Sequence, residues 1–159
     1  MAKGIGNGWP LAAVVTTPEI AKSLTQRIHF NTYGGNPVAS AVGKAVLEVV
    51  DKENIQDRAL KVGKRLKDGL NKLQEKHSII GDVRGKGLML GVELVKDRKT
   101  KAPAKEETAQ LLEHAKDMGL LIGKGGFYGN TLRIKPPMCL TEADVDFMVE
   151  VLDRGFQKL

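Results

Sequence analysis

Glycine constrains this chain more than any other residue type, because its eighteen copies among 159 residues fall in clusters. Gly4, Gly6 and Gly8 form one cluster and Gly34-Gly35 a second. The glycines between 81 and 91 and those between 123 and 129 form two more. Each cluster lies between stretches of helical or strand periodicity. Glycine tolerates φ > 0 and lets backbone come close to a ligand or to other backbone. Such a chain is expected to fold as short elements whose connections carry the close approaches.

The periodic stretches divide in two. Residues 11–15 are apolar and end at Thr16-Thr17-Pro18. Thr17 as N-cap and Pro18 at the first helical position open a short helix. Asn36-Pro37 repeats the device for a longer one. Ala39, Ala41, Val42, Ala45, Val46 and Val49 make that helix apolar almost all round, which predicts burial. From Asn54 to about His77 a helix carries the stripe Ile55, Leu60, Val62, Leu66, Leu70 and Leu73, with lysine and arginine opposite. The two helices are expected to run nearly continuously, bent near Glu53-Asn54.

From residue 78 the pattern changes. Residues 79–83 and 88–94 read as strands, with Leu88, Leu90, Val92 and Leu94 alternating against Met89, Gly91 and Glu93. Between them, Arg84-Gly85-Lys86-Gly87 reads as a β-turn rather than a phosphate loop. Residues 96–105 are a charged surface loop, and 104–118 a helix stopped by Gly119. A short strand is predicted at 120–122, a glycine-rich loop at 123–130, and a strand at 131–135 ended by Pro136-Pro137. Thr141-Glu142-Ala143-Asp144 is a capping box for a last helix with Val145, Met148, Val151, Leu152 and Phe156 inward. Residues 78–159 thus read as a compact α/β unit. Residues 1–36 hold too little apolar surface to fold alone and read as a piece of a larger domain.

Charge and composition narrow the function. Twenty-five basic against nineteen acidic residues give a net +6. That excess would suit nucleic acid, but aromatics are only 4%, too sparse for base stacking. The basic residues of 52–105 also alternate with acids, as on solvated helix faces. No apolar run approaches the roughly 18 residues of a membrane span, and no signal or transit segment is expected at the start. The single cysteine, Cys139, excludes an intramolecular disulfide and reads as a small buried hydrophobe. His29 and His77 lie far apart without ligand partners, so no metal site is expected.

Lys3 is the first candidate for chemistry. In Ala2-Lys3-Gly4-Ile5-Gly6-Asn7-Gly8 it has almost no bulk beside it, so a planar carbonyl compound can approach its amine and form a Schiff base. The competing reading is a solvated lysine in an N-terminal tail. On spacing alone Thr32 is a turn hydroxyl, and Arg133, between Leu132 and Ile134, is an outward-facing arginine of an alternating strand.

Four stretches, in order and covering the chain, carry a resemblance. Met1-Ala2-Lys3-Gly4-Ile5-Gly6-Asn7-Gly8-Trp9-Pro10 resembles the active-site lysine motif of the class III (omega) aminotransferases, which use pyridoxal 5'-phosphate. His29-Phe30-Asn31-Thr32-Tyr33-Gly34-Gly35-Asn36-Pro37, Gly81-Asp82-Val83-Arg84-Gly85-Lys86-Gly87-Leu88-Met89 and Thr131-Leu132-Arg133-Ile134-Lys135-Pro136-Pro137 resemble the family's next three motifs. Segments 79–95 and 123–137 look most like its alanine–glyoxylate aminotransferase 2 branch. The resemblance implies that Lys3 is the lysine that binds the cofactor and shuttles the substrate's proton. It implies that Thr32 binds the cofactor phosphate across a homodimer interface, and that Arg133 clamps the substrate carboxylate through two parallel hydrogen bonds.

The implied fold is α/β, the C-terminal part of a fold-type I PLP-dependent transferase. Residues 1–52 would be the tail of the cofactor-binding large domain, 53–77 a linking helix and 78–159 the small C-terminal α/β domain. The parent is expected to move an amino group from an amino acid such as alanine to a 2-oxo acid such as glyoxylate. It is expected in mitochondria, with peroxisome or cytoplasm as alternatives; the terminal Gln157-Lys158-Leu159 only echoes a peroxisomal signal. The family's cradle also has an aspartate under the pyridine nitrogen, an aromatic on the ring and a Gly/Ser phosphate loop, all upstream of the lysine motif. These 159 residues hold none of them at a matching place, so the isolated chain is expected to be inactive. The competing readings are a non-catalytic interaction module derived from an aminotransferase, and a transaminase for other omega-amino acids.

Overall fold

The computed structural model describes all 159 residues, in two compact units, Met1–Ile55 and Gln56–Leu159. The first unit opens with a 3-10 turn, Lys3–Gly6, and a short helix α1, Pro18–Lys22, extended by a second 3-10 turn, Ser23–Gln26. The Thr17 hydroxyl accepts the Ile20 N–H at the start of α1. Helix α2, Pro37–Lys52, begins in the same way: the Asn36 side-chain oxygen accepts the Ala39 N–H at 2.9 Å, and Pro37 supplies the fixed φ of the first turn.

Burial of α2 departs from expectation. Only Ala39 and Gly43 of this helix are buried, while Val38, Leu47 and Val49 are exposed. Within the unit α2 packs on the N-terminal turn, where the Leu11 side chain lies against Gly43 so closely that a Cβ there would sit 2.7 Å from it. Nothing else in the unit covers the remaining apolar faces. Residues 20–35 are exposed throughout.

Asn54, at φ 47°, separates α2 from α3, Ile55–Lys76. Val62, Leu66, Leu70 and Leu73 of α3 are buried at helical spacing, whereas Leu60 of the expected stripe is half exposed. The four inward residues join the core of the second unit, so that core takes in α3 as well as the residues after 78.

The sheet has the order β1-β2-β4-β3, with every neighbouring pair antiparallel. Strand β1 is Ile80–Lys86, β2 Met89–Leu94, β3 Gly123–Gly125 and β4 Thr131–Ile134. Alternation fixes which face is buried: Leu90, Val92 and Leu94 of β2 and Leu132 and Ile134 of β4 point to the core. They meet α3, α4 (Lys105–Asp117) and α5 (Glu142–Phe156) in one cluster that includes Leu111, Ala115, Val145, Met148, Val151, Leu152 and Phe156. All three helices supply residues to this one side of the sheet.

Three local expectations shift. The β1–β2 connection is a two-residue turn, Gly87-Leu88, so Arg84 lies within β1 and not in the turn. The third strand forms at Gly123–Gly125 and not at 120–122, because β4 selects its partner by register, Gly123 opposite Arg133 and Gly125 opposite Thr131. Leu120 is instead buried in the core, just after Gly119 at φ 91°. Cys139 is exposed, and its carbonyl accepts a 2.8 Å hydrogen bond from Arg58. The charged loop after β2 has one inward-working member. Arg98 donates to the carbonyls of Gln74, His77, Ser78 and Ile80, capping the end of α3 and the chain leaving it.

Candidate active site

The predicted site residues fall in different units: Lys3 and Thr32 in the first, Arg133 in the second. Lys3 starts the N-terminal 3-10 turn with φ 57°, in the left-handed region that a side chain seldom adopts. Asn7, at φ 47°, ends the turn, its N–H reaching the Gly4 carbonyl. The turn is held to α2 through the buried Gly6 and the neighbouring Leu11. The Lys3 side chain is exposed and engages no acid or carbonyl. Beside it, a Cβ on Gly4 or Gly8 would meet nothing within 4 Å. The amine therefore stands on a fixed turn with open space around it.

Thr32 occupies the first position of a tight turn, residues 32–35. The turn is held by the Gly34 N–H on the Asn31 carbonyl and by the Tyr33 N–H on the Asn31 side-chain oxygen, both at 3.1 Å. Gly35 has φ 67°. The Thr32 hydroxyl, the Thr32 N–H and the Gly35 N–H find no acceptor within the chain, and both residues are exposed. Three donors on one turn suit an anionic oxygen cluster such as a phosphate monoester. The unit thus offers two donor types, a primary amine that suits an aldehyde and a hydroxyl–amide turn that suits a phosphate.

Arg133 lies on the side of the sheet away from the three helices, between the buried Leu132 and Ile134. Both of its cross-strand partners are glycine, Gly91 on β2 and Gly123 on β3. A Cβ built on Gly123 would lie 3.6 Å from a terminal guanidinium nitrogen of Arg133, so the guanidinium lies over that glycine, toward the sheet edge. There it lines a cleft of about 430 Å³ with Leu121, Ile122, Pro136 and Phe147 among its walls. Arg133 makes no ion pair, whereas Arg84 on the same face makes two.

The other arginine of this row is fully engaged. Arg84, opposite Gly91 on β1, lies 2.7 Å from the carboxylates of both Asp82 and Glu93. Hydrogen bonds to Asp82, and then to Glu93, raise its pKa above the ordinary value. Strand alternation carries the signal for this pair. It was obscured because Arg84 reads as a turn residue when the hairpin register is unknown.

Residues 1–156 match the family described as Aminotransferase class-III. A match of that extent shows that the chain belongs to the class III aminotransferases. It is 59% identical over 159 residues to alanine–glyoxylate aminotransferase 2 homolog 2, mitochondrial, of Arabidopsis thaliana, covering all of this chain and 33% of that protein. It is 54% identical to the human mitochondrial alanine–glyoxylate aminotransferase 2, over 95% of this chain and 30% of the relative. It is 44% identical to ethanolamine-phosphate phospho-lyase homolog 1 of Caenorhabditis elegans, over 97% of this chain and 33% of that protein. Among solved structures, a phospholyase from Arthrobacter in complex with phosphoethanolamine matches with a TM-score of 0.92 and 34% identity, over all of this chain and 38% of that one. A PLP-bound amine transaminase from an uncultivated Pseudomonas species matches with a TM-score of 0.87 and 34% identity, over 99% of this chain and 37% of that one. The chain spans about a third of the length of the curated relatives it matches.

Proposed function

We propose that these residues supply part of the active site of a pyridoxal-phosphate-dependent aminotransferase that passes an amino group from alanine, or a similar amino acid, to glyoxylate or a similar 2-oxo acid. The observation that carries this is Arg133: an unpaired guanidinium, flanked by two glycines, in a chain that matches a transaminase family along nearly its whole length. A guanidinium so placed takes a carboxylate in two parallel hydrogen bonds, which fixes the direction of the adjacent Cα–H bond. Lys3 would hold the cofactor at its amine and, once released, carry the proton to and from the substrate's α carbon. Thr32 and the Gly35 N–H would hold the phosphate across the homodimer interface. When bound, the cofactor supplies the electron sink that makes that α proton acidic.

The full protein would work as a homodimer, and it would reside in mitochondria, the compartment printed in the names of two relatives. The 159 residues contribute the lysine, the phosphate turn and the carboxylate clamp, and no carboxylate for the pyridine nitrogen. Groups that act as a unit lose far more than their share when separated. The 159-residue chain alone is therefore without sustained turnover. The assay is alanine plus glyoxylate, with pyruvate measured. Repeated turnovers by this chain that vanish in Lys3→Ala would overturn the statement about the chain. No turnover by the longer protein with any amino acid would overturn the proposed function.

The phospholyase relatives favour a second reading, in which the amine substrate carries a phosphate and no carboxylate. Phosphoethanolamine as sole substrate, with inorganic phosphate measured, separates the two. Arg133→Ala should impair turnover of alanine, which carries a carboxylate, and leave that of phosphoethanolamine, which carries none, largely unchanged.

A further inference from the structure

Arg133 stands unpaired on a sheet face that carries carboxylates within reach, and those carboxylates have other partners. The nearest by register is Glu93. It lies on β2 two residues beyond Gly91, the direct partner of Arg133, and opposite Thr131. That makes it a diagonal neighbour of Arg133, about 7–8 Å away at the backbone and within reach of two long side chains. Opposite charges in this relation are able to form an ion pair. Glu93 pairs instead with Arg84 at 2.7 Å.

Strand register brings Arg84 beside this glutamate. Arg84 is the direct cross-strand partner of Gly91, and a Cβ built there would meet the Arg84 stem at 3.8 Å. The arginine thus lies across the glycine toward β2 and reaches Glu93 on the same face. Arg133 leans the other way, over Gly123 and into the cleft. The second carboxylate near that cleft, Asp144, is also engaged: it accepts the Thr141 N–H at 2.8 Å and the Thr141 hydroxyl at 2.7 Å in the cap of α5.

We propose that Arg84 is a positioning residue for carboxylate recognition: by holding Glu93 it keeps the Arg133 guanidinium open for an incoming carboxylate. The argument rests on the reading of Arg133 as the carboxylate clamp. Arg84 touches no substrate in this scheme. It acts through Glu93, with Asp82 as its second anchor at 2.7 Å.

Phenylglyoxal reacts with free guanidinium groups faster than with paired ones, and modified arginines can be mapped by mass spectrometry without any catalytic activity. In the unaltered protein Arg133 should label faster than Arg84. In Arg84→Met, Glu93 is released and Arg133 labelling should slow by about two- to five-fold, the occupancy an exposed ion pair supports. Arg84→Met/Glu93→Gln should restore the original rate, and Arg84→Lys, which keeps a cation for Glu93, should leave it near the original. Unfolding would speed labelling and not slow it, so loss of structure cannot mimic the result. An Arg133 rate unchanged in Arg84→Met, or slowed equally in the double variant, would overturn the proposal. Pyruvate, as carboxylate probe, tests the underlying clamp separately. It should protect Arg133 in the unaltered protein and protect it less in Arg84→Met. Absence of protection combined with the slowing and its rescue would reject the clamp while leaving the Arg84–Glu93 coupling standing.

Discussion

Gly63 sets how closely α3 approaches the β1–β2 hairpin: a Cβ there would lie 2.2 Å from the Gly87 carbonyl oxygen, far inside contact distance. Backbone cannot yield as a side-chain end can, so Gly63→Ala should cost about 2–3 kcal/mol. Urea unfolding followed by circular dichroism checks this. Gly4→Ala, where a Cβ meets nothing within 4 Å, serves as the control and should change stability by less than about 0.5 kcal/mol. Arg133 belongs to the same scale. In an active assembly, Arg133→Ala should raise the KM for alanine about 10- to 100-fold, the worth of hydrogen bonds to a charged group, and lower kcat through misorientation. Cofactor absorbance should be retained. The arginine itself was legible in its strand motif. Its two glycine neighbours were not recognisable as such, because they become neighbours only through the antiparallel register of three strands.

Among elements, the last helix shows what local chemistry can specify. The Thr141 hydroxyl accepts the Asp144 N–H, and the Asp144 carboxylate returns a bond to the Thr141 N–H. Thr141→Ala should cost about 1 kcal/mol, read in the same urea titration. That capping box and the Asn36-Pro37 start of α2 were readable because every participant lies within three residues. The strand at Gly123–Gly125 was misplaced onto 120–122, since the apolar Leu120-Leu121-Ile122 looks more like a strand than Gly-Lys-Gly does. Pairing with β4 overrode the propensity. The α3–α5 contact adds a pH dependence. Asp153 receives hydrogen bonds from Lys76 and then His77, both at 2.6 Å, and they hold its carboxyl below its ordinary pKa. A lowered folded-state pKa stabilises the protein above the unfolded value of about 3.9, and that gain is lost as pH falls through the folded value. Asp153→Asn should therefore flatten the loss of stability below about pH 4, measured by urea titrations at a series of acid pH values.

At the scale of the molecule, the two units differ in how they bury apolar surface. The second has one continuous core from Val62 to Phe156. The first buries little beyond Gly6, Ala39 and Gly43, and exposes Val14, Val15, Ile28, Phe30 and Tyr33 almost fully. Amides of residues 1–30 should exchange with solvent much faster than those of α3, β2 and α5. Sedimentation at rising concentration should show self-association through these apolar groups, and a clean monomer throughout would count against it. The family was legible because four short motifs stand in order along the chain. The exposure of α2 was not legible, since periodicity states which faces are apolar and not what covers them. The assignment of Lys3 as the cofactor lysine is tested most directly by chemical trapping. The protein is mixed with pyridoxal 5'-phosphate, reduced with borohydride and mapped by peptide mass spectrometry. The expected result is cofactor fixed on Lys3, with the visible absorbance lost in Lys3→Ala. Absorbance that persists in Lys3→Ala, with cofactor fixed instead on helix-surface lysines such as Lys61 or Lys72, would contradict it.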